Sequence, residues 1–167
     1  GNTLFAVGCD SGTGKDIWLL QRIIGGTEEW FPPVTSWSSP ALISSNDFLI
    51  VNPLVVSDQV GSVHAFWIQE QSARATASGL GSSVPASIYY SRWDGSTWLR
   101  PAEIIKPLDG RAGGLSVAID LQGRLHLTWI GGQTGQVFYS WNTSEDASSA
   151  ALWKSPVVLS APRANTA

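Results

Sequence analysis

Apolar and polar positions in this chain fall into short runs with a period of two, the signature of β-strands. In the run Ser62 to Gln69, Val63, Ala65 and Trp67 share one face while His64, Phe66 and Ile68 share the other. Both faces carry apolar side chains, which predicts a strand packed between two neighbouring sheets rather than one facing water. Further strands are predicted over Gly1 to Gly8, Asp16 to Arg22, Leu54 to Ser57, Ile88 to Trp93, Leu115 to Asp120, Leu125 to Ile130 and Val137 to Trp141. Outer strands are predicted over Ala41 to Ile43, Trp98 to Ile105 and Trp153 to Leu159. Pro53 divides Leu49 to Val51 from Leu54 to Val56, because proline has no N–H to give to a ladder.

The runs recur in order. GSVHAFWI from Gly61 returns as GRLHLTWI from Gly123, each with a His and a Trp three apart, His64 with Trp67 and His126 with Trp129. A tyrosine-bearing run follows each, and Trp-x-x-Pro closes the unit at Trp98 to Pro101 and at Trp153 to Pro156. Val55, Asp58 and Gly61 are each 62 positions before Val117, Asp120 and Gly123. A third, altered copy lies at the start, with Leu4 set against His64, Val7 against Trp67, Ile17 against Ile88, Trp18 against Tyr89 and Arg22 against Arg92, and it closes at Trp37 to Pro40.

Four strands in about 55 to 62 residues describe a propeller blade with long loops. The expected fold is therefore all-β, about three four-stranded antiparallel blades, half of a six-bladed β-propeller, closed by further sequence or by other copies. The segments are 1–46, a blade without its first strand; 47–108 and 109–160, two complete blades; and 161–167, a tail. A three-sheet stack or β-sandwich is the rival architecture. The insertion from Gln71 to Ala86 is a long loop rich in Ser, Ala and Gly, and its length marks it as a place for function.

Composition changes the picture in a few respects. Nine Trp and seventeen Gly with only 14% charged residues fit aromatic packing between short strands and tight turns. Ten basic and thirteen acidic residues are scattered without a Lys/Arg cluster, so no nucleic-acid partner is expected. No apolar run is long enough for a spanning helix, so no membrane insertion is expected. Cys9 is the single cysteine, which rules out an internal disulfide and a cysteine-based metal site within the chain. The turn CDSGTGK before Asp16 lacks the spacing and the Ser or Thr of a phosphate loop, and Asp10 and Asp16 lack the spacing of a hard-cation loop. No cofactor and no metal are expected.

Ser91 to Trp98 reads SRWDGSTW and resembles the Asp-box, Ser-x-Asp-x-Gly-x-Thr-Trp, of bacterial sialidases and related BNR-repeat propellers. Ser91, Gly95, Thr97 and Trp98 fall in register, while Trp93 holds the Asp position and Asp94 stands one place later. The resemblance implies a structural turn between the third and fourth strands of a blade, remote from the sugar-binding face. It also implies a sugar carboxylate held by three arginines, a Tyr–Glu nucleophile and an Asp acid/base in the catalytic members. Arg22, Arg92, Arg100, Arg111 and Arg124 occur singly and match no such triad, so no catalytic residue is assigned.

The ligand-contact candidates are Trp93 and Trp141 at the ends of their strands, Arg111 in the crossover after Asp109-Gly110, and the repeated His64 and His126. Repetition favours a structural role for the histidines, such as bonding an adjacent blade's backbone, and for Trp67 and Trp129 as core between blades. Asp58 and Asp120 read as turn-makers, Tyr89, Tyr90 and Tyr139 as packing residues. Glu28-Glu29 point to opposite sides of an extended chain and make a poor glycosidase pair. The function expected is a non-catalytic propeller segment of a secreted or surface bacterial protein that recognises a glycan or a protein. A fragment of an exo-sialidase-like glycoside hydrolase is the alternative.

Overall fold

The computed structural model describes residues 3–10, 14–23, 37–45, 48–70, 85–94, 96–108, 110–131 and 135–160. Among the described residues the fold is all-β, with three antiparallel sheets. The first contains β1 (Thr3–Cys9), β2 (Asp16–Ile23) and β3 (Ala41–Ser45). The second contains β4 (Leu49–Ser57), β5 (Val63–Glu70), β6 (Ala86–Trp93) and β7 (Ala102–Ile105). The third contains β8 (Ala112–Ile119), β9 (Arg124–Gly131), β10 (Val137–Thr143) and β11 (Val157–Val158), with one 3-10 turn at Ala150–Leu152. In each sheet the strands lie side by side in chain order, so every connection within a sheet joins hydrogen-bonded neighbours.

Pairing fixes which residues are counterparts. Phe66 faces Tyr90 and Trp67 faces Tyr89 across β5 and β6, as Thr128 faces Tyr139 and Trp129 faces Phe138 across β9 and β10. In the first sheet Val7 faces Leu19, and Cys9 faces Ile17 where Ile68 faces Ile88. With Ile17 on Ile88, the counterpart of His64 is Phe5 rather than Leu4, that of Trp67 is Gly8 rather than Val7, and that of Trp93 is Arg22. The sequence alignment of the first copy is thus corrected by one residue. The closing bonds agree, since the amides of Ser38, Leu99 and Lys154 donate to the carbonyls of Gln21, Arg92 and Trp141. Trp37, Trp98 and Trp153 are therefore counterparts, and β4 and β8 have no counterpart in the first sheet among the described residues.

The second sheet has both faces covered, as its two-sided apolar pattern predicts. Ala65 and Trp67 pack with Ile17, Leu19 and Ile43 of the first sheet, while Phe66, Ile68, Ile88 and Tyr90 pack with Leu125, Leu127, Trp129 and Trp153 of the third. Phe66 meets the Trp153 indole edge-on, ring centroids 6.4 Å apart. Full burial of one such aromatic side chain contributes about 1.5–3 kcal/mol, so these junctions are the main source of stability between sheets.

Several strand limits differ from the periodicity. Leu49–Ser57 is one strand, because Asn52 and Pro53 form a bulge: pairing shifts register between Val51 and Leu54, and Asn52 takes φ 51°. β8 bulges at the same place, shifting between Gly113 and Ser116 with Gly114 at φ 54°. Both strands lie at a sheet edge, where a bulge and a proline are tolerated. Two of the three outer strands are shorter than expected, β7 starting only at Ala102 and β11 comprising Val157–Val158, while β3 runs on to Ser45 and Trp98 makes a single bridge to Trp93. The 71–84 insertion, the 24–36 connection with its Glu28-Glu29 pair, and the 161–167 tail lie outside the described residues.

Candidate functional site

Two tight turns build the most chemically organised part of the molecule. Between β4 and β5 the Asp58 amide donates to the Ser62 carbonyl at 3.0 Å, and between β8 and β9 the Asp120 amide donates to the Arg124 carbonyl at 3.0 Å. Gly61 and Gly123 supply the left-handed residue each turn needs, φ 91° and 73°. One oxygen of each Asp accepts backbone N–H groups across its turn. Asp58 Oδ1 takes Val60 at 3.1 Å and Ser62 at 2.8 Å; Asp120 Oδ1 takes Gln122 and Arg124, both at 2.9 Å. The reading of these residues as turn-makers describes half of what they do.

The other oxygen of each carboxylate faces a histidine of its own sheet. His64 Nε2 is 3.3 Å from Asp58 Oδ2 and His126 Nε2 is 3.1 Å from Asp120 Oδ2. On the far side of each ring, Nδ1 is 2.7 Å from a tyrosine hydroxyl, Tyr90 in the second sheet and Tyr139 in the third. A carboxylate only accepts, so Nε2–H donates to Asp, leaving the Nδ1 lone pair to accept from the tyrosine O–H. The expectation that the histidines bond an adjacent blade's backbone is replaced by this Asp–His–Tyr relay within one sheet. A serine next to each tyrosine completes the copy, Ser91 Oγ and Ser140 Oγ each donating at 2.6 Å to the carbonyls of Leu99 and Lys154.

The relays differ in cover. His64 and Tyr90 are buried beneath the third sheet, whereas His126 and Tyr139 lie part-exposed on that sheet's open face. Burial lowers the pKa of His64 despite the pull of Asp58, and the charge of Arg92 lowers it further, so the ring is held neutral. Desolvation pushes Asp58 up, but the Ser62 N–H and the His64 ring outweigh it and its pKa falls below the ordinary carboxylate value. Asp120 is held well below that value in the same way, desolvation being outweighed by Arg124, His126 and Gln122. Burial raises Tyr90, which keeps its phenol protonated and a poor nucleophile.

A groove of about 530 Å³ runs between the two turns. Asp58, Gln59 and Ser62 line one wall, Asp120, Gln122 and Glu145 the other, with Arg92 between them. The Arg92 Nε is buried without a partner among the described residues.

The remaining candidates are dispersed. Trp93 packs at 5.8 Å and 54° against Trp98, and Trp141 has the Arg124 guanidinium carbon 5.6 Å and the Lys154 Nζ 5.2 Å from its ring centre. Arg111 pairs with Glu70 at 3.0 Å, at the opposite end of the sheets from the groove. Glu70 is six residues along β5 from His64, roughly 20 Å at the rise of a strand. Arg111 therefore belongs to a different end of the molecule from Trp93, Trp141 and both histidines. In the SRWDGSTW turn, Asp94 Oδ1 accepts from the amides of Ser96 and Thr97, each at 2.8 Å, and these bonds bring its pKa down to about 2. Gly95 lies outside the described residues. Asp10 Oδ1 accepts from the Lys15 amide at 2.9 Å, and among the described residues no three His, Cys, Asp or Glu side chains cluster as metal ligands would.

Compared with known proteins, the chain matches no family model and no curated sequence.

Sequence reasoning missed the tyrosines' part in the relay. The available signal was the interval of six from Asp to His in both copies, together with a Tyr-Ser pair in each following run, Tyr90-Ser91 and Tyr139-Ser140.

Proposed function

We propose that this chain is a segment of a sialidase-like, Asp-box β-propeller from a secreted or cell-surface bacterial protein, and that it binds a glycan or protein ligand without hydrolysing it. Three consecutive antiparallel meanders, each packing a face on the next, support the blade reading. The observation that carries the binding reading is the duplication of the Asp–His–Tyr relay. Groups that resemble a catalytic set occur twice at equivalent places and spend their hydrogen bonds on one another, as a repeated structural element does. The surface left for recognition is the part-exposed Trp141 with Arg124 and Lys154 beside its ring. An indole stacks on a sugar ring, and a flanking ammonium suits an acidic sugar.

The test is a glycan array that includes sialylated and neutral oligosaccharides, run beside hydrolysis of a fluorogenic sialoside. Retention of acidic glycans that Trp141→Ala abolishes, without release of the fluorophore above background, is the expected result. Release of sialic acid would favour the glycoside-hydrolase alternative, and absence of retention on every glycan would remove the carbohydrate reading.

A further inference from the structure

The two end faces of the stack expose the counterparts of residues buried at the junction between the second and third sheets. Trp153, against the second sheet, is 8% exposed, while its counterpart Trp37, with no preceding sheet among the described residues, is 42% exposed. On the far side, Ile68 is 0% exposed beneath the third sheet and its counterpart Ile130 is 43% exposed. The first sheet also has an apolar hollow of about 500 Å³ lined by Gly8, Cys9, Trp18, Leu20 and Pro40, where the other sheets carry Trp67 and Trp129 in place of Gly8. The open side of the first sheet is thus of the kind that the second and third sheets turn toward their predecessors. The open side of the third sheet is of the kind that the first and second turn toward their successors.

We propose that these two faces bind each other between copies of this chain, the third sheet of one copy taking the first sheet of a second, head to tail. Each internal junction is a worked example of the contact, and a single chain carries both halves of it. Where Phe66 meets Trp153 edge-on within the chain, the pair between copies is Thr128 and Trp37, the smaller threonine leaving room for an indole. Arg22, whose Nε is buried without a partner among the described residues, lies at the end of its face that the equivalence brings toward Asp120. A face three or four strands wide and eight residues long covers roughly 400 Å², so one junction buries about 800 Å² in total and two bury about 1,600 Å², the size of a stable interface. Two copies joined at both ends reach that size; an open chain of single junctions does not.

The inference rests on the equivalence of the sheets and not on ligand binding. Trp141 lies on the same face of the third sheet as His126, but its counterpart Arg92 lines the groove at the end of the internal junction. The same end of the junction between copies stays open to a ligand, so a single-chain particle that still retains glycan would overturn the pairing alone. Light scattering during size exclusion at about 10 μM is expected to give twice the 17.8 kDa of the chain; the mass of one chain overturns the proposal and leaves the faces to another polypeptide. A second measurement needs no destabilised variant. In a Cys9→Ser background, Trp37→Cys and Thr128→Cys chains treated with a short bismaleimide are expected to give a covalent pair only when mixed. Equal cross-linking of either variant alone would contradict the head-to-tail arrangement.

Discussion

The Tyr90 hydroxyl sits 2.7 Å from His64 Nδ1, inside the junction between the second and third sheets, and Tyr139 repeats the distance to His126 on the open face. One hydrogen bond thus occurs in two dielectric settings within one molecule. Removing the hydroxyl by Tyr90→Phe leaves a buried imidazole nitrogen without a donor and is expected to cost about 1–3 kcal/mol. Tyr139→Phe lets water reach the corresponding nitrogen and is expected to cost less than about 1 kcal/mol. Chemical denaturation of the two variants compares them directly, and equal losses would contradict the difference in cover.

The same relay sets the response to acid. The pKa of His64 is lowered by folding, so the unfolded chain binds the proton first and stability rises with pH across this window. The contribution is complete above the ordinary histidine value of about 6.5 and is lost as pH falls through the lowered folded value. Asp58, also lowered, adds a second loss of the same sign below its ordinary value of about 4. Urea midpoints measured from about pH 7.5 down to about pH 2.5 are expected to fall in that order. A flat profile down to about pH 5 would contradict the buried neutral imidazole.

Asn52 and Gly114 hold the same left-handed backbone, φ 51° and 54°, in matching bulges 62 positions apart. Gly114→Ala must accept that φ and set a methyl 2.8 Å from Ile130 Cδ1, and it is expected to lose about 1–2 kcal/mol. Asn52→Gly keeps the φ without the side chain and is expected to change stability by less than about 0.5 kcal/mol. Thermal melts of both variants check the contrast.

Asp94 organises its turn through the amides of Ser96 and Thr97. Asp94→Ala is expected to accelerate hydrogen exchange at those two amides while leaving exchange at Trp67 and Leu127, deep in their sheets, unchanged. Unaltered exchange at Ser96 and Thr97 would show that the turn holds without the carboxylate.

Much of the fold was legible in the chain because its strands alternate cleanly and its copies are in register. His64 with Trp67 and His126 with Trp129 marked the central strands, and the three Trp-x-x-Pro endings proved to be structural counterparts. What the pattern concealed came from local geometry. The one-residue error in the first sheet arose because Gly8 replaces the tryptophan that anchors the other two copies, leaving no large residue to fix the alignment. Pro53 read as a break because a proline cannot donate to a ladder, yet a bulge at an edge strand absorbs it. The relay was hidden because Tyr90 and Tyr139 approach their histidines from the next strand, and pairing across strands depends on register that spacing along one strand does not contain. Trp93, Trp141 and Arg111 were visible as residue types, but their separation to two ends of the sheets required the direction of β5 and β8.

The central claim is that the second sheet lies between the other two through counterpart faces. An aromatic nuclear Overhauser spectrum of the full chain tests it most directly. Cross-peaks from Phe66 to Trp153 and from Trp67 to the methyls of Ile17 or Leu19 are the predicted result. A spectrum in which Phe66 and Trp67 contact only residues of their own sheet would contradict it.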